Sequence, residues 1–419
     1  MKTVWAIAGT DADAQTLRGF GLELVHAEGM PAAIKFGALE TANELAATIG
    51  FLTNYSGPLV LDVPLIPTAM YGMLHQVDIL VLDIHEAETI LNQAINSHEA
   101  IKDAAVELLA FGVKSVLLKG EQMHESLWVH DYWTNGSNSF WLTQRRYSDA
   151  KYPVAGAVFS AAITAALALG YPAEDAIVIA KMYLHQAIRL AQTDLYYGGF
   201  PEDEADLPYL AAMPLFAAPE AFKHTHYLGL YPVVDSFKWV ETLVEFGVKT
   251  IQLRIKERTP TLEEEMKRSI VLAKQHQVTL FINDYWDLAL KLDAEAVHLG
   301  QSDLDTADLD AIRRKGLLLG VSTYCYYEVA RAHAICPSYV AIGPIYPTTS
   351  KELAFEAQGV EMLRRWMRTL HYPLVAIGGI SLERAPDVVA TGVSGVALIS
   401  AITAAEDPRK VTQQLLSLM

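Results

Sequence analysis

The most constraining feature is a rhythm in the second half of the chain. Short apolar runs rich in β-branched or aromatic residues recur eight times, at Tyr227–Val234, Thr250–Ile255, Thr279–Ile282, Ala296–Leu299, Leu317–Ser322, Tyr339–Ile345, Leu374–Ile377 and Gly395–Ile399. Nearly continuous hydrophobic runs suit parallel strands covered on both faces. Between them lie stretches such as Leu262–Gln275 and Leu363–Leu370, with apolar residues at helical spacing. Eight evenly spaced βα units predict a (β/α)8 TIM barrel, since an open doubly wound sheet would seldom need eight such strands.

The chain has 419 residues, enough for two domains. The first half alternates as well. Val4–Ala8, Ile34–Phe36, Leu59–Asp62, Ile79–Leu82 and Ser115–Leu118 read as strands, and Glu40–Leu52, Glu86–Ala94, Ile101–Phe111 and Phe159–Leu169 as helices. That pattern predicts an α/β domain of three layers. Trp128, Tyr132, Trp133, Phe140 and Trp141 flank Asn135-Gly136, a hairpin signal, and read as a packed β-flap or an interface. Exposed aromatics on that flap would favour a homodimer. Paired glycines, a proline and an acidic cluster from Tyr196 to Asp206 mark a boundary. The division expected is 1–198, a linker at 199–224, and 225–419.

Charge and cysteine usage narrow the function. A net charge of −17 disfavours nucleic acid and anionic membrane as partners. No apolar run reaches the ~20 residues of a membrane span. The N-terminus lacks the apolar segment of a signal peptide. Cys325 and Cys336 cannot build a disulfide framework, so a reducing, cytoplasmic setting is expected.

In a barrel of this kind the chemistry sits at the C-terminal ends of the strands. The second strand ends Gln252-Leu-Arg254-Ile-Lys256, whose alternation would point Gln252, Arg254 and Lys256 to one side, towards an anionic substrate. Asp284 follows the third strand and Asp303 the fourth, and two carboxylates at neighbouring ends could share one Mg²⁺. The loop Gly343-Pro-Ile-Tyr-Pro-Thr348-Thr349-Ser350-Lys351 can bind phosphate through hydroxyls, backbone and ammonium. Gly378-Gly379 after strand seven, with backbone N–H groups at Ile399 and Ser400 after strand eight, forms the phosphate cradle expected there. His298 reads as a satisfied histidine of the barrel interior rather than a metal ligand. Two anion sites, one of them metal-assisted, imply group transfer.

These motifs, Gln252-Leu-Arg-Ile-Lys, Asn283-Asp, His298-Leu-Gly-Gln-Ser-Asp, Leu319-Gly-Val-Ser, Gly343-Pro-Ile-Tyr-Pro-Thr-Thr-Ser-Lys and Ala376-Ile-Gly-Gly-Ile, resemble in order and spacing those of the thiamine-phosphate synthases. The resemblance implies a transferase that joins hydroxymethylpyrimidine diphosphate to thiazole phosphate and releases pyrophosphate. It implies that Gln252 contacts the pyrimidine. Arg254, Lys256, Asn283, Ser322 and Lys351 would hold the pyrophosphate, and Asp284 and Asp303 would carry Mg²⁺. Thr348, Gly378, Gly379, Ile399 and Ser400 would bind the thiazole phosphate, with Ser350 lining the same loop. The implied reaction is dissociative: pyrophosphate leaves, then the thiazole nitrogen attacks a pyrimidine cation. The chain departs from the pattern at Tyr324-Cys325, at Ile255 and at Val234 before Asp235. A related family, the thiazole tautomerases, shares the barrel but typically lacks the pyrophosphate-binding set.

Residues 1–195 resemble more distantly the hydroxymethylpyrimidine phosphate kinases of the ribokinase-like fold, through Ile7-Ala-Gly9-Thr-Asp11, Leu61-Asp62, Leu118-Lys119-Gly120 and the run from Ala155 to Ile163. Such a kinase would supply the diphosphate. The departures fall on the chemistry. The glycine-rich segment expected after Asp11 is absent, and the phosphate loop is reduced to Val154-Ala155-Gly156-Ala157. Residues carrying a Cβ resist the positive φ that an anion-binding nest can need. Acidic side chains also outnumber basic ones through residue 200, a poor setting for ATP. The reading is a degenerate kinase kept for structure, dimerisation or ligand sensing, with a bifunctional kinase–synthase as the alternative and a tautomerase-like or regulatory protein as a third.

Overall fold

The computed structural model describes every residue except 1, 25–29, 38–40, 121–126, 148–151, 226 and 349–355. The chain forms two compact units, Met1–Ala218 and Pro219–Met419.

The first unit is built on one sheet. Its strands are β1 (Thr3–Ile7), β2 (Glu23–Leu24), β3 (Ala33–Phe36), β4 (Leu59–Leu61), β5 (Ile79–Asp83), β6 (Val116–Lys119), β7 (Trp128–Thr134), β8 (Ser139–Arg145) and β9 (Tyr209–Ala211). Their order is β2-β1-β3-β4-β5-β6-β7-β8-β9. Neighbours up to β6 are parallel, and β7 to β9 extend the sheet antiparallel. Strands β3 to β6 are buried on both faces, which is why they read as nearly unbroken apolar runs. One face packs Ile34, Phe36, Leu80 and Leu82 against Leu52, Leu74, Ala104 and Leu108. The other carries the helices Ala155–Leu169 and Ala173–Arg189, buried along most of their length. Sheet and two helical layers give the three-layer architecture that the alternation predicts.

The β-flap folds as expected. Asn135 Oδ1 accepts from the N–H groups of Ser137 and Asn138, and Gly136 takes φ +85° in the turn. Tyr132, Trp133, Phe140 and Trp141 are at most 6% exposed and pack inside the unit, while Trp128 is half-buried. Two expectations change here. The helix expected from Phe159 begins at Ala155. The segment read as a linker from residue 199 contains β9, which pairs with β8, and belongs to the first unit through Ala218.

The second unit is a closed barrel of β10 (Gly229–Val234), β11 (Thr250–Leu253), β12 (Thr279–Asn283), β13 (Ala296–Leu299), β14 (Leu318–Thr323), β15 (Tyr339–Ile342), β16 (Leu374–Ile377) and β17 (Gly395–Leu398). Every neighbouring pair is parallel, and β17 returns to β10 with Gly229 opposite Gly395. Large side chains fill the interior, among them Tyr231, Phe281 and Tyr339. It is therefore a packed core with its chemistry at the rim. Strand β11 ends at Leu253, so Arg254 and Lys256 lie in the loop beyond it rather than on the strand. Among the described residues no helix is long and apolar enough to cross a membrane.

Candidate active site at the barrel mouth

Parallel strands bring their C-terminal ends to one rim. Gln252, near the end of β11, turns inward and is 4% exposed. Its Nε2 donates to Tyr231 OH at 3.1 Å. Past the strand end, Arg254 and Lys256 line one side of a cavity whose other walls include Val234, Asp235, Trp239 and Thr403. The loop position lets both basic groups reach that cavity without the strict alternation of a strand.

Asn283 ends β12, and Asp284 follows in the left-handed region at φ +63°, a conformation uncommon for residues with a Cβ. Its N–H donates to His298 O at 3.0 Å, which holds the turn. Burial and the neighbouring Asp303 carboxylate push the Asp284 carboxyl up to about 6, against the opposing pull of Arg254. Asp303 also caps the short helix Gln301–Leu304, accepting from Gly300 N–H at 3.0 Å. Asp303 thus caps a helix and faces the Asp284 carboxylate at once. Two carboxylates that meet and repel, in an all-oxygen donor set, fit a hard divalent cation. No larger group of His, Cys, Asp and Glu with metal-holding geometry occurs among the described residues.

Ser322 on β14 lies 2.8 Å from His298 Nε2, while Tyr339 OH lies 2.6 Å from His298 Nδ1. Both ring nitrogens of His298 are thereby engaged within the barrel, as expected of a satisfied histidine.

Across β17 from the first, a second cavity is lined by Thr348, Gly378, Gly379, Ser381, Arg384 and Ser400. Gly378 and Gly379 adopt φ +97° and +65°. A Cβ on Gly379 would stand 2.5 Å from Pro347 O, and one on Gly378 would stand 2.6 Å from Pro344 Cα. Ile345 N–H donates to Ile377 O, and Tyr346 N–H to Gly378 O, so the loop after β15 lies directly on the two glycines. Only glycine permits that approach. Ile399 lines both cavities. Ser350 and Lys351 lie outside the described residues.

Residue-type reasoning missed three participants. Arg384 lines the second cavity and donates to Gly379 O at 2.7 Å. It lies five residues beyond the Gly-Gly pair, with no motif to mark it. Tyr231 and Tyr339 read as ordinary strand aromatics, yet their hydroxyls hydrogen-bond each other inside the barrel at 2.9 Å.

The first unit gathers its own polar cluster where β1, β3 and β4 face the helix Ala155–Leu169. Lys35 Nζ lies 2.5 Å from Asp13 Oδ1 and 3.7 Å from Asp62 Oδ2. It also donates to Ala157 O at 3.4 Å. Ser160 Oγ donates to Asp62 at 2.5 Å, and Lys119 Nζ stands 3.9 Å from Asp62 Oδ1. Gly156 sits in the first turn of the helix, where a Cβ would come 3.2 Å from Lys119 Nζ. The anions and cations of this cluster are mutually paired.

A carboxylate pair, a cavity reached by Arg254 and Lys256 and a two-glycine turn thus gather at one rim of a closed parallel barrel. Residues 230–402 match the family model of thiamine monophosphate synthase, and residues 10–201 match that of phosphomethylpyrimidine kinase. A thiamine-phosphate synthase of Photorhabdus laumondii is 56% identical over 196 residues, covering 46% of this chain and 91% of that protein. The thiamine phosphate pyrophosphorylase structure from Pyrococcus furiosus is 32% identical, covers 46% of this chain and 96% of its own, and superposes with a TM-score of 0.42. The pyridoxal kinase structure from Staphylococcus aureus with AMP-PCP and pyridoxal is 21% identical, covers 47% of this chain and 94% of its own, and has a TM-score of 0.42. The chain belongs to the thiamine-phosphate synthase family through its barrel, and carries ahead of it a domain that matches the phosphomethylpyrimidine kinase family.

Proposed function

We propose that the barrel is an active thiamine-phosphate synthase, that Asp284 and Asp303 bind Mg²⁺, and that the first unit does not phosphorylate substrate. One observation carries the reading of the barrel. Two cavities open at the same rim and share Ile399: one is reached by Arg254 and Lys256, with Asp235 and Glu257 beside them, and the other is a glycine cradle with Arg384. A pyrimidine diphosphate and a thiazole phosphate seated in them meet at that residue.

The residues then divide the work. Gln252 orients the pyrimidine from the barrel wall. Arg254, Lys256, Asn283 and Ser322, with Lys351, hold the pyrophosphate and stabilise its growing charge as the C–O bond breaks. The cradle of Thr348, Gly378, Gly379 and Ser400 fixes the thiazole phosphate, so that the ring nitrogen faces the carbon that loses pyrophosphate. Bound Mg²⁺ supplies charge neutralisation of the leaving group. No protein nucleophile is needed.

Silence of the first unit rests on its paired cluster. Val154, Ala155 and Ala157 leave only Gly156 at the helix start where the kinase resemblance puts a glycine-rich phosphate loop, and Lys35 is ion-paired with Asp13.

The test of the barrel reading is pyrophosphate release by the full chain from hydroxymethylpyrimidine diphosphate and thiazole phosphate. Release that requires Mg²⁺ and falls at least ~100-fold in Asp284→Asn supports the reading. Equal rates with and without a chelator reject the metal assignment, and no release rejects the synthase.

A further inference from the structure

A line of five side chains crosses the barrel interior. Gln252 Nε2 donates to Tyr231 OH at 3.1 Å. Tyr231 OH and Tyr339 OH are 2.9 Å apart. Tyr339 OH lies 2.6 Å from His298 Nδ1, and His298 Nε2 lies 2.8 Å from Ser322 Oγ. The five come from five strands, β11, β10, β15, β13 and β14. The two tyrosines and Gln252 are almost wholly enclosed. A space is kept for the line: a Cβ on Gly320 would stand 2.2 Å from Tyr339 Cζ.

Proton accounting gives the line a direction. A tyrosine hydroxyl has one hydrogen to donate, and an amide nitrogen only donates. Gln252 therefore fills an acceptor site on Tyr231 oxygen, and the hydrogen of Tyr231 goes to Tyr339. Tyr339 in turn has its own hydrogen for His298 Nδ1. A neutral imidazole that accepts at Nδ1 carries its proton on Nε2. Nε2–H then donates to Ser322 Oγ, and the hydrogen of Ser322 is turned away from the histidine. With Gln252 Nε2 facing Tyr231, the reverse direction would leave the enclosed hydrogen of Tyr231 without an acceptor in the line, at a cost of about 1–3 kcal/mol.

We propose that His298, backed by Tyr339 and Tyr231, is a positioning residue that presents the Ser322 hydroxyl as a hydrogen-bond donor to the anionic leaving group. The inference rests on the reading above, in which Ser322 meets pyrophosphate. The line also anchors Gln252 at its far end, so one set of hydrogen bonds orients both the pyrimidine contact and the leaving-group donor. His298 touches no substrate in this scheme and acts through Ser322.

Two measurements test it. The first is a long-range ¹H–¹⁵N correlation spectrum of the full chain without substrate, with His298 identified by through-space contacts to Tyr339. A neutral ring protonated at Nε2 is expected, and protonation at Nδ1 overturns the proposal. This readout needs no activity, so it stands even where the synthase reading fails. The second is a double-mutant cycle of Tyr339→Phe and Ser322→Ala, with thermal melts as a folding control. Tyr339→Phe should lower kcat ~10-fold and change KM for thiazole phosphate less than ~2-fold, and it should cost nothing further in the Ser322→Ala background. Losses that multiply across the two sites, or no loss in the single variant, contradict the proposal. An inactive parent chain rejects the synthase reading and leaves the tautomer result to decide this one.

Discussion

Gly379 shows how much of the mouth depends on single residues. At φ +65°, with Pro347 O 2.5 Å from where a Cβ would be, it cannot become alanine without moving the loop after β15. Gly379→Ala should raise KM for thiazole phosphate ~10-fold or more, equivalent to about 1.4 kcal/mol of lost binding. Steady-state kinetics check this, and binding of the pyrimidine diphosphate should change far less. Asp206 is the corresponding residue of the first unit. Arg189 clamps it with Nε at 2.8 Å and Nη2 at 2.6 Å, and His185 Nδ1 lies 3.0 Å away. Burial opposes its charge, but these hydrogen bonds and charges prevail and hold the carboxyl below its usual value. A depressed carboxylate contributes stability above its unfolded value near ~3.9, and that contribution is lost as pH falls through the folded value. Asp206→Asn should therefore cost about 3–5 kcal/mol at pH 7. Denaturant melts should show that penalty shrinking in strong acid, and a constant penalty contradicts the clamp.

At the scale of elements, the sequence is most informative where a strand is buried on both faces. All eight barrel strands end within three residues of their apolar runs, because strands enclosed on both sides carry few polar positions to blur the pattern. Ends are less visible. Leu253 ends β11 although Ile255 continues its apolar character, since the chain turns there to bring Arg254 and Lys256 to the mouth. The helix at Ala155 was hidden because Ala155-Gly156-Ala157 lacks both a side-chain cap and an amphipathic period. The site was readable where chemistry uses charged residues or paired glycines. Tyr231, Tyr339 and Arg384 escaped because nothing in their type or spacing separates them from packing residues. Gly320 tests the packing of β14 on β15. Gly320→Ala drives a Cβ into the Tyr339 ring and should destabilise the barrel by about 1–3 kcal/mol, read as a lower Tm.

For the whole molecule, the two halves make different use of related signals. The barrel keeps a cradle, a cavity reached by Arg254 and Lys256, and two carboxylates at a common rim. The first unit instead holds Lys35, Asp13, Asp62 and Lys119 in mutual ion pairs. Composition located the change of character near residue 200. It placed the boundary too early, because β9 is a short edge strand in a segment otherwise rich in turn residues and acids. The account makes one central claim, that an active synthase carries a catalytically silent kinase domain. Its most direct test is an assay of the full chain with Mg²⁺ and thiazole phosphate. One sample receives the pyrimidine as its diphosphate, another as its monophosphate with ATP. Thiamine phosphate from the diphosphate alone is the predicted result. Product in both samples would show that the first unit phosphorylates despite its paired cluster, and product in neither would contradict the synthase itself.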